Sequence, residues 1–172
     1  VTAQSRCSVL AFVLLAACGE THDDGLSTAI KEQVDVIVAT DLDIQREEFV
    51  ASLIRMLSEK DLTTADDASI DQVARLLADD NDPIRGEAAM ALGLFGPRAQ
   101  RTVPELKRAM ERYERELADE QALLLQLGES PDNPGWLVTA DTRSPDEICR
   151  ALVLIGDNAP PEHCAGDRYA GP

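Results

Sequence analysis

Basic side chains are scarce in this chain: 16 lysines and arginines stand against 32 aspartates and glutamates, for a formal net charge of -16. A field of that sign repels nucleic acid and anionic headgroups at long range. The densest basic stretch, Lys107 to Arg115, is interleaved with Glu111 and Glu114, so a nucleic-acid role does not fit. Only 2 histidines are present, His22 near the amino-terminal end and His163 beside Cys164, and neither belongs to an apparent triad or metal cluster. There is no glycine-rich phosphate loop, no cysteine pair at metal-ligand spacing and no serine in a nucleophile elbow. Asp79, Asp80 and Asp82 lie close together but lack the alternating ligands and distal glutamate of a calcium loop, and read as a solvated connector. A non-catalytic protein without a metal or organic cofactor is the expectation. Long apolar runs are missing too. The stretch Val9 to Ala17 would span about 14 Å as a helix against roughly 30 Å of bilayer core, too short for a permanent crossing.

What that stretch does contain is a processing pattern. Arg6 supplies positive charge, the apolar run follows, and small residues precede a cysteine at Leu15-Ala16-Ala17-Cys18-Gly19. This resembles the lipobox of bacterial lipoprotein precursors. The resemblance implies a diacylglyceryl group on the Cys18 sulfur, cleavage between Ala17 and Cys18, and an N-acyl chain on the new amino terminus. More than one chain gives stable anchoring at about 0.8 kcal/mol per buried CH₂. Gly19 in place of aspartate implies the periplasmic face of the outer membrane. An ordinary secretory peptide with an incidental cysteine is the alternative. Residues 1–17 are thus expected to be a signal peptide, 18–26 a short polar tether and 27–172 the domain.

Cysteine usage agrees with export. Of the 4 cysteines, Cys7 leaves with the signal and Cys18 is acylated, which leaves Cys149 and Cys164. In an exported chain they suggest one disulfide. Closing that loop stabilises by roughly 3 kcal/mol on the chain-entropy model. Two buried, unpaired thiols are the alternative.

Periodicity along the chain is helical. Between Leu26 and Ala39 the residues Leu26, Ile30, Val34 and Ile37 follow helical spacing, while Val34, Val36 and Val38 alternate as in a strand. Helix is favoured because no second strand is available to pair with. Phe49, Val50, Leu53, Ile54 and Leu57 mark a helix of about 12 residues, and Ile70, Val73, Ala74, Leu76 and Leu77 a shorter one. Asp82-Pro83 is a sound helix start, with a carboxylate to cap free amides and a proline in the first turn, and Gly96-Pro97 ends that helix. Val103, Leu106, Met110, Tyr113, Leu117, Leu124 and Leu127 predict one long helix packed against its neighbours. Residues 130–143, rich in proline and glycine, read as an irregular loop. There Trp136 either folds back onto the domain or serves as a partner-binding anchor. Ser144 to Glu147 reads as a capping box before a last helix, and residues 157–172 as a tail.

Two helices repeat at an offset of 60: Ala91-Leu92 matches Ala151-Leu152, Leu94 matches Leu154, Phe95 matches Ile155 and Gly96 matches Gly156. The segment from Leu76 to Gly96, with its leucine pair, Asp82-Pro83-Ile84-Arg85, the small residues Ala88 and Ala89, and Leu92, Phe95 and Gly96, resembles a HEAT repeat of the short bacterial variety first associated with phycobilin lyases. The resemblance covers Ser69 to about Met110 best and Ser144 to Ala159 in part. It implies an all-α fold, a short α-solenoid of helical hairpins, and the bridge expected from cysteine usage would staple its C-terminal cap through Cys149 and Cys164. It also implies that Arg85 ties its inter-helix turn to adjacent repeats.

The resulting expectation is a membrane-tethered module of the bacterial envelope that holds an unidentified protein partner, with acidic rows and Trp136 as contacts. A structural subunit of an envelope complex is the first rival, a small-molecule or metal-binding protein the second, and an enzyme the last.

Overall fold

A computed structural model describes residues 24–126, 143–157 and 161–164. Cys18 and Trp136 lie outside the described residues. Among the described residues six α-helices follow one another: α1 (Asp24–Ala39), α2 (Asp43–Ser58), α3 (Asp67–Arg75), α4 (Asp82–Leu94), α5 (Val103–Gln126) and α6 (Arg143–Ile155). Short 3₁₀ turns extend α3 through Leu76–Ala78 and join α4 to α5 through Gly96–Thr102. No strand occurs among the described residues.

Packing resolves the ambiguity in the first segment. Ile30, Val34 and Ile37, three and four residues apart, are fully buried, whereas Val38 is 51% exposed. One helical stripe therefore faces the core, and the alternating reading fails. Two boundaries move outward. α1 opens at Asp24, inside the segment read as tether, and α2 opens at Asp43 and runs for 16 residues, longer than expected. The start of α2 puts the Asp43 carboxylate at the positive end of the helix dipole. Similarly, Arg143 is the first residue of α6 rather than the last of a loop, and Ser144 sits within the helix.

The helices form two layers. α1, α3 and α5 make one: α1 packs on α3, and α5 on the 3₁₀ turn that ends α3. α2, α4 and α6 make the other, with α4 in the middle touching both. The hairpins α1–α2, α3–α4 and α5–α6 cross between the layers. Within a layer the helices run parallel. The Asp66 amide before α3 donates to Ser27 Oγ at the start of α1. At the start of α4, Asn81 Nδ2 donates to Glu47 in the first turns of α2. Arg101 pairs with Asp67 and Asp71 at the start of α3, while Arg112, farther along α5, reaches Ala78 and Asp80 past its end.

The closest approach is between α4 and α6. A Cβ on Gly86 would lie 3.0 Å from Ser144 Cα, and one on Gly93 would lie 3.3 Å from Ala151 Cα. The two glycines and their two partners are each two helical turns apart and ascend together, so the helices are parallel and in register. Ser144 Oγ donates to the Asp82 carbonyl at 2.7 Å, locking the lower end of this seam. Ala88, Ala89, Ala91 and Leu92 fill the core around it with no exposed surface. Both helices then end in a left-handed glycine, Gly96 at φ 55° and Gly156 at φ 84°.

Two glycine substitutions separate seam from propensity. Gly86→Ala gains up to about 1 kcal/mol of helix propensity but forces backbone apart, so a net loss of about 1–2 kcal/mol is expected. Gly25→Ala in the first turn of α1 meets nothing within 4 Å and should leave stability unchanged or raise it by up to about 1 kcal/mol. Urea unfolding of the two variants reads the difference.

Candidate functional site

The turn between α3 and α4 gathers charge that sequence reasoning assigned to a solvated connector. Asn81, not Asp82, caps α4: its Oδ1 accepts the Ile84 amide at 3.2 Å. Asp82 is the first helical residue, and its carboxylate turns instead to Arg85 Nη2 at 2.9 Å. Pro83 occupies the first turn, where its missing N–H leaves no gap.

Arg85 is 1% exposed. Its Nη1 donates to the carbonyls of Asp79 and Asp80 at 2.9 and 3.1 Å, and its Nη2 to Asp82 and to Glu116 on α5. A guanidinium is a rigid fork of donors, so one side chain holds its own turn and the next hairpin together. Arg112 completes the set, donating to Glu116 Oε1 and Asp80 Oδ1, both at 2.7 Å, and to the Ala78 carbonyl at 3.3 Å.

Arg46 does the same one hairpin earlier, and the sequence reading passed over it. It donates to the Ile37 carbonyl at 3.3 Å, to Asp43 at 3.2 Å and to the Asp79 carboxylate. The signal was present as spacing: Asp43-Ile44-Gln45-Arg46 stands 39 residues before Asp82-Pro83-Ile84-Arg85, with Asp41, Glu48 and Leu53 matching Asp80, Glu87 and Leu92. A second missed tie is Arg98, whose guanidinium donates to the carbonyls of Leu62 and Ala65 at the other end of the same hairpins.

Asp79, Asp80 and Asp82 are thus each engaged by a different arginine. The Arg112 hydrogen bond, then its charge, holds the Asp80 carboxyl below its ordinary range. Burial pushes Asp82 upward against the pull of Arg85. At the cap of α3, hydrogen bonds from the Ser69 hydroxyl and amide hold Asp66 down.

Of the remaining repeat residues, Ala88, Ala89, Leu92 and Phe95 are all core, and Gly96 provides the left-handed turn. Cys149 and Cys164 are joined by a disulfide, Sγ–Sγ 2.03 Å, that fastens the 3₁₀ turn Glu162–Cys164 to α6. Nearby, Lys107 Nζ on α5 lies 2.8 Å from the largely buried Asp157 carboxylate.

The surface between α3 and α5 opens into a groove of about 590 Å³. Ala74, Leu77 and Ala109, all buried, make its floor. Its walls carry Arg75 from α3 and Arg101, Arg108, Arg112 and Arg115 from the α5 side, against the carboxylates of Asp71 and Glu105. At 100° per residue, Arg108, Arg112 and Arg115 of α5 fall within an arc of about 60°, while Glu111 and Glu114 project outside it. Interleaving in sequence hides an arginine row in space, with Glu105 at its edge. Arg101 pairs with Asp67 and Asp71, Arg108 with Glu105, and Arg112 with Asp80 and Glu116. Arg75 and Arg115 are in no ion pair among the described residues; they donate to Gln72 Oε1 and the Glu111 carbonyl, within their own helices.

No family model, curated protein or solved structure matches this chain.

Arg85→Ala leaves two turn carbonyls and the half-buried Asp82 carboxylate without their donor, and should cost about 3–5 kcal/mol in urea unfolding. Arg85→Lys, a point charge without the fork, should recover only part of that. Glu116→Gln, at a half-exposed partner, should cost less than about 1 kcal/mol.

Asp66 and Asp80 have depressed values, so their contributions are fully present above the ordinary carboxylate range and are lost as pH falls through their folded values. Asp82, being raised, has the opposite sign and favours the fold most when protonated. The Asp66→Asn/Asp80→Asn double variant should therefore show a shallower fall in urea midpoint between about pH 5 and pH 3 than the parent. Parallel curves would refute the assignment.

Proposed function

We propose that this chain is a non-catalytic helical-repeat module, tethered by lipid in the bacterial envelope, that holds a protein partner close to the membrane. Its helices are read as a short α-solenoid of HEAT-like hairpins, with the Cys149–Cys164 bridge on the final cap. The observation that carries this reading is the repetition of one device. Arg46 and Arg85, at equal positions of α2 and α4, each bind their own turn and reach to the next hairpin. Hairpins joined this way, like helix beside like helix, build an extended surface instead of a closed pocket. The α3–α5 groove is such a surface.

The place of action rests on the lipobox resemblance. Cys18 would carry the diacylglyceryl and N-acyl chains, and α1 opens at Asp24. At 3.3 to 3.6 Å per extended residue the start of α1 stays within about 22 Å of Cys18. Among the described residues no helix is long and apolar enough to cross a membrane, so attachment in this reading falls to the acyl chains. The periplasmic face of the outer membrane is the location the reading favours.

Two measurements on cells expressing the full chain test it. Wild type should incorporate labelled palmitate and fractionate with membranes, and Cys18→Ser should lose the label and move to the soluble periplasmic fraction. Crosslinking of the lipidated protein should then trap a discrete, salt-sensitive partner. Unchanged fractionation of Cys18→Ser, or no specific crosslink at any salt concentration, would overturn the reading. A partner co-purifying at fixed stoichiometry would replace the binding module with a structural subunit.

A further inference from the structure

We infer that the arginine-lined groove between α3 and α5 is the docking site for an acidic, partly apolar peptide segment of the partner protein. This rests on the binding-module reading above and adds the partner's chemistry. In a chain with a net charge of -16, five arginines against two carboxylates line one groove. That is a local reversal of sign, and it attracts carboxylates while the surrounding surface repels them.

Two of the five are poised for an incoming ligand. Arg75 and Arg115 lie on exposed stretches of the rim and pair with no carboxylate among the described residues. Each presents a planar fork matched to a carboxylate. Arg108 is held only by Glu105 one turn away, an exposed pair that exchanges readily for a better partner. The ties of Arg112 to Asp80 and Glu116 keep the centre of the row in place.

Length and floor select the occupant. From Arg101, in the 3₁₀ turn that leads into α5, to Arg115 the row runs about 20 Å, longer than a single phosphate or small dicarboxylate. The contacts are one to two turns apart, the spacing at which acidic side chains recur on a peptide. Between the rims the floor of Ala74, Leu77 and Ala109 is apolar, and it is covered well only by a segment carrying apolar side chains among its carboxylates. A long polyanion such as nucleic acid offers phosphates at every step and meets the repulsion of the whole molecule.

The test is fluorescence anisotropy with the soluble Cys18→Ser chain and a short labelled peptide of leucine and glutamate. The parent should bind it, more weakly as salt rises. Arg75→Glu/Arg115→Glu should weaken binding by at least about tenfold, one decade of Kd, with only a small drop in melting temperature from the reversed charge in the last turn of α3, because neither side chain holds an ion pair among the described residues. Lys60→Glu, away from the groove, should have no effect. The matched glutamine peptide should not bind. Equal binding by the double variant, equal binding of the glutamine peptide, or more effective displacement by a short single-stranded oligonucleotide than by unlabelled peptide would each overturn the inference. Crosslinking in cells separates its failure from that of the parent reading: a partner retained by the double variant leaves the module and removes the groove, whereas peptide binding without any envelope partner leaves the groove and removes the module.

Discussion

A guanidinium cannot enter a helical core without partners for its charge, and Arg85 has them at both Nη atoms, on both sides of an interface. Its two turn carbonyls belong to the hairpin it starts, and Glu116 belongs to the next. Desolvation makes the arrangement costly to leave half made. The α3–α4 turn and the middle of α5 must therefore be in place together, and Arg46 imposes the same condition on the preceding turn through Asp79. Successive hairpins are registered by charge at one edge, while apolar packing between layers supplies the bulk of the stabilisation.

That register lets small residues do their part. Gly86 and Gly93 of α4 meet Ser144 and Ala151 of α6 at a separation where one added methyl group collides with backbone. So close an approach is useful only if the helices are parallel and in phase. Disulfide closure at Cys149–Cys164 then fixes the end of the chain against the helix that makes this contact. Stability and shape here come from edge ties and a seam of small residues, in a chain with few aromatic side chains to fill a larger core.

The all-helical class was legible from apolar spacing, and the Cys149–Cys164 pairing from the two cysteines left after export is assumed. The shorter offset of 39 is obscured in sequence, because Arg46 is preceded by Ile44 and Gln45 where Arg85 is preceded by Pro83 and Ile84. Matching by identity favoured α4 and α6, which share helix-ending glycines, over α2 and α4, which share a charge pair. Asp82 was misread as a cap since Asn81 and Asp82 are both good cappers. Only the neighbouring guanidinium decides between them. On α5 the apolar stripe is buried at Leu106 and Met110, while Tyr113 and Leu117 farther along the same face are only partly covered. The arginine row was hidden by linear interleaving, which a helical projection removes.

The central claim is that Arg85 couples consecutive hairpins rather than stabilising one turn. Native-state amide hydrogen exchange on the parent and Arg85→Ala tests it most directly. Coupling predicts faster exchange in Arg85→Ala at the α3–α4 turn, in α5 around Glu116 and at the start of α2 together, with the Gly93–Ala151 end of the seam still protected. Faster exchange confined to residues 79–85 would contradict the account.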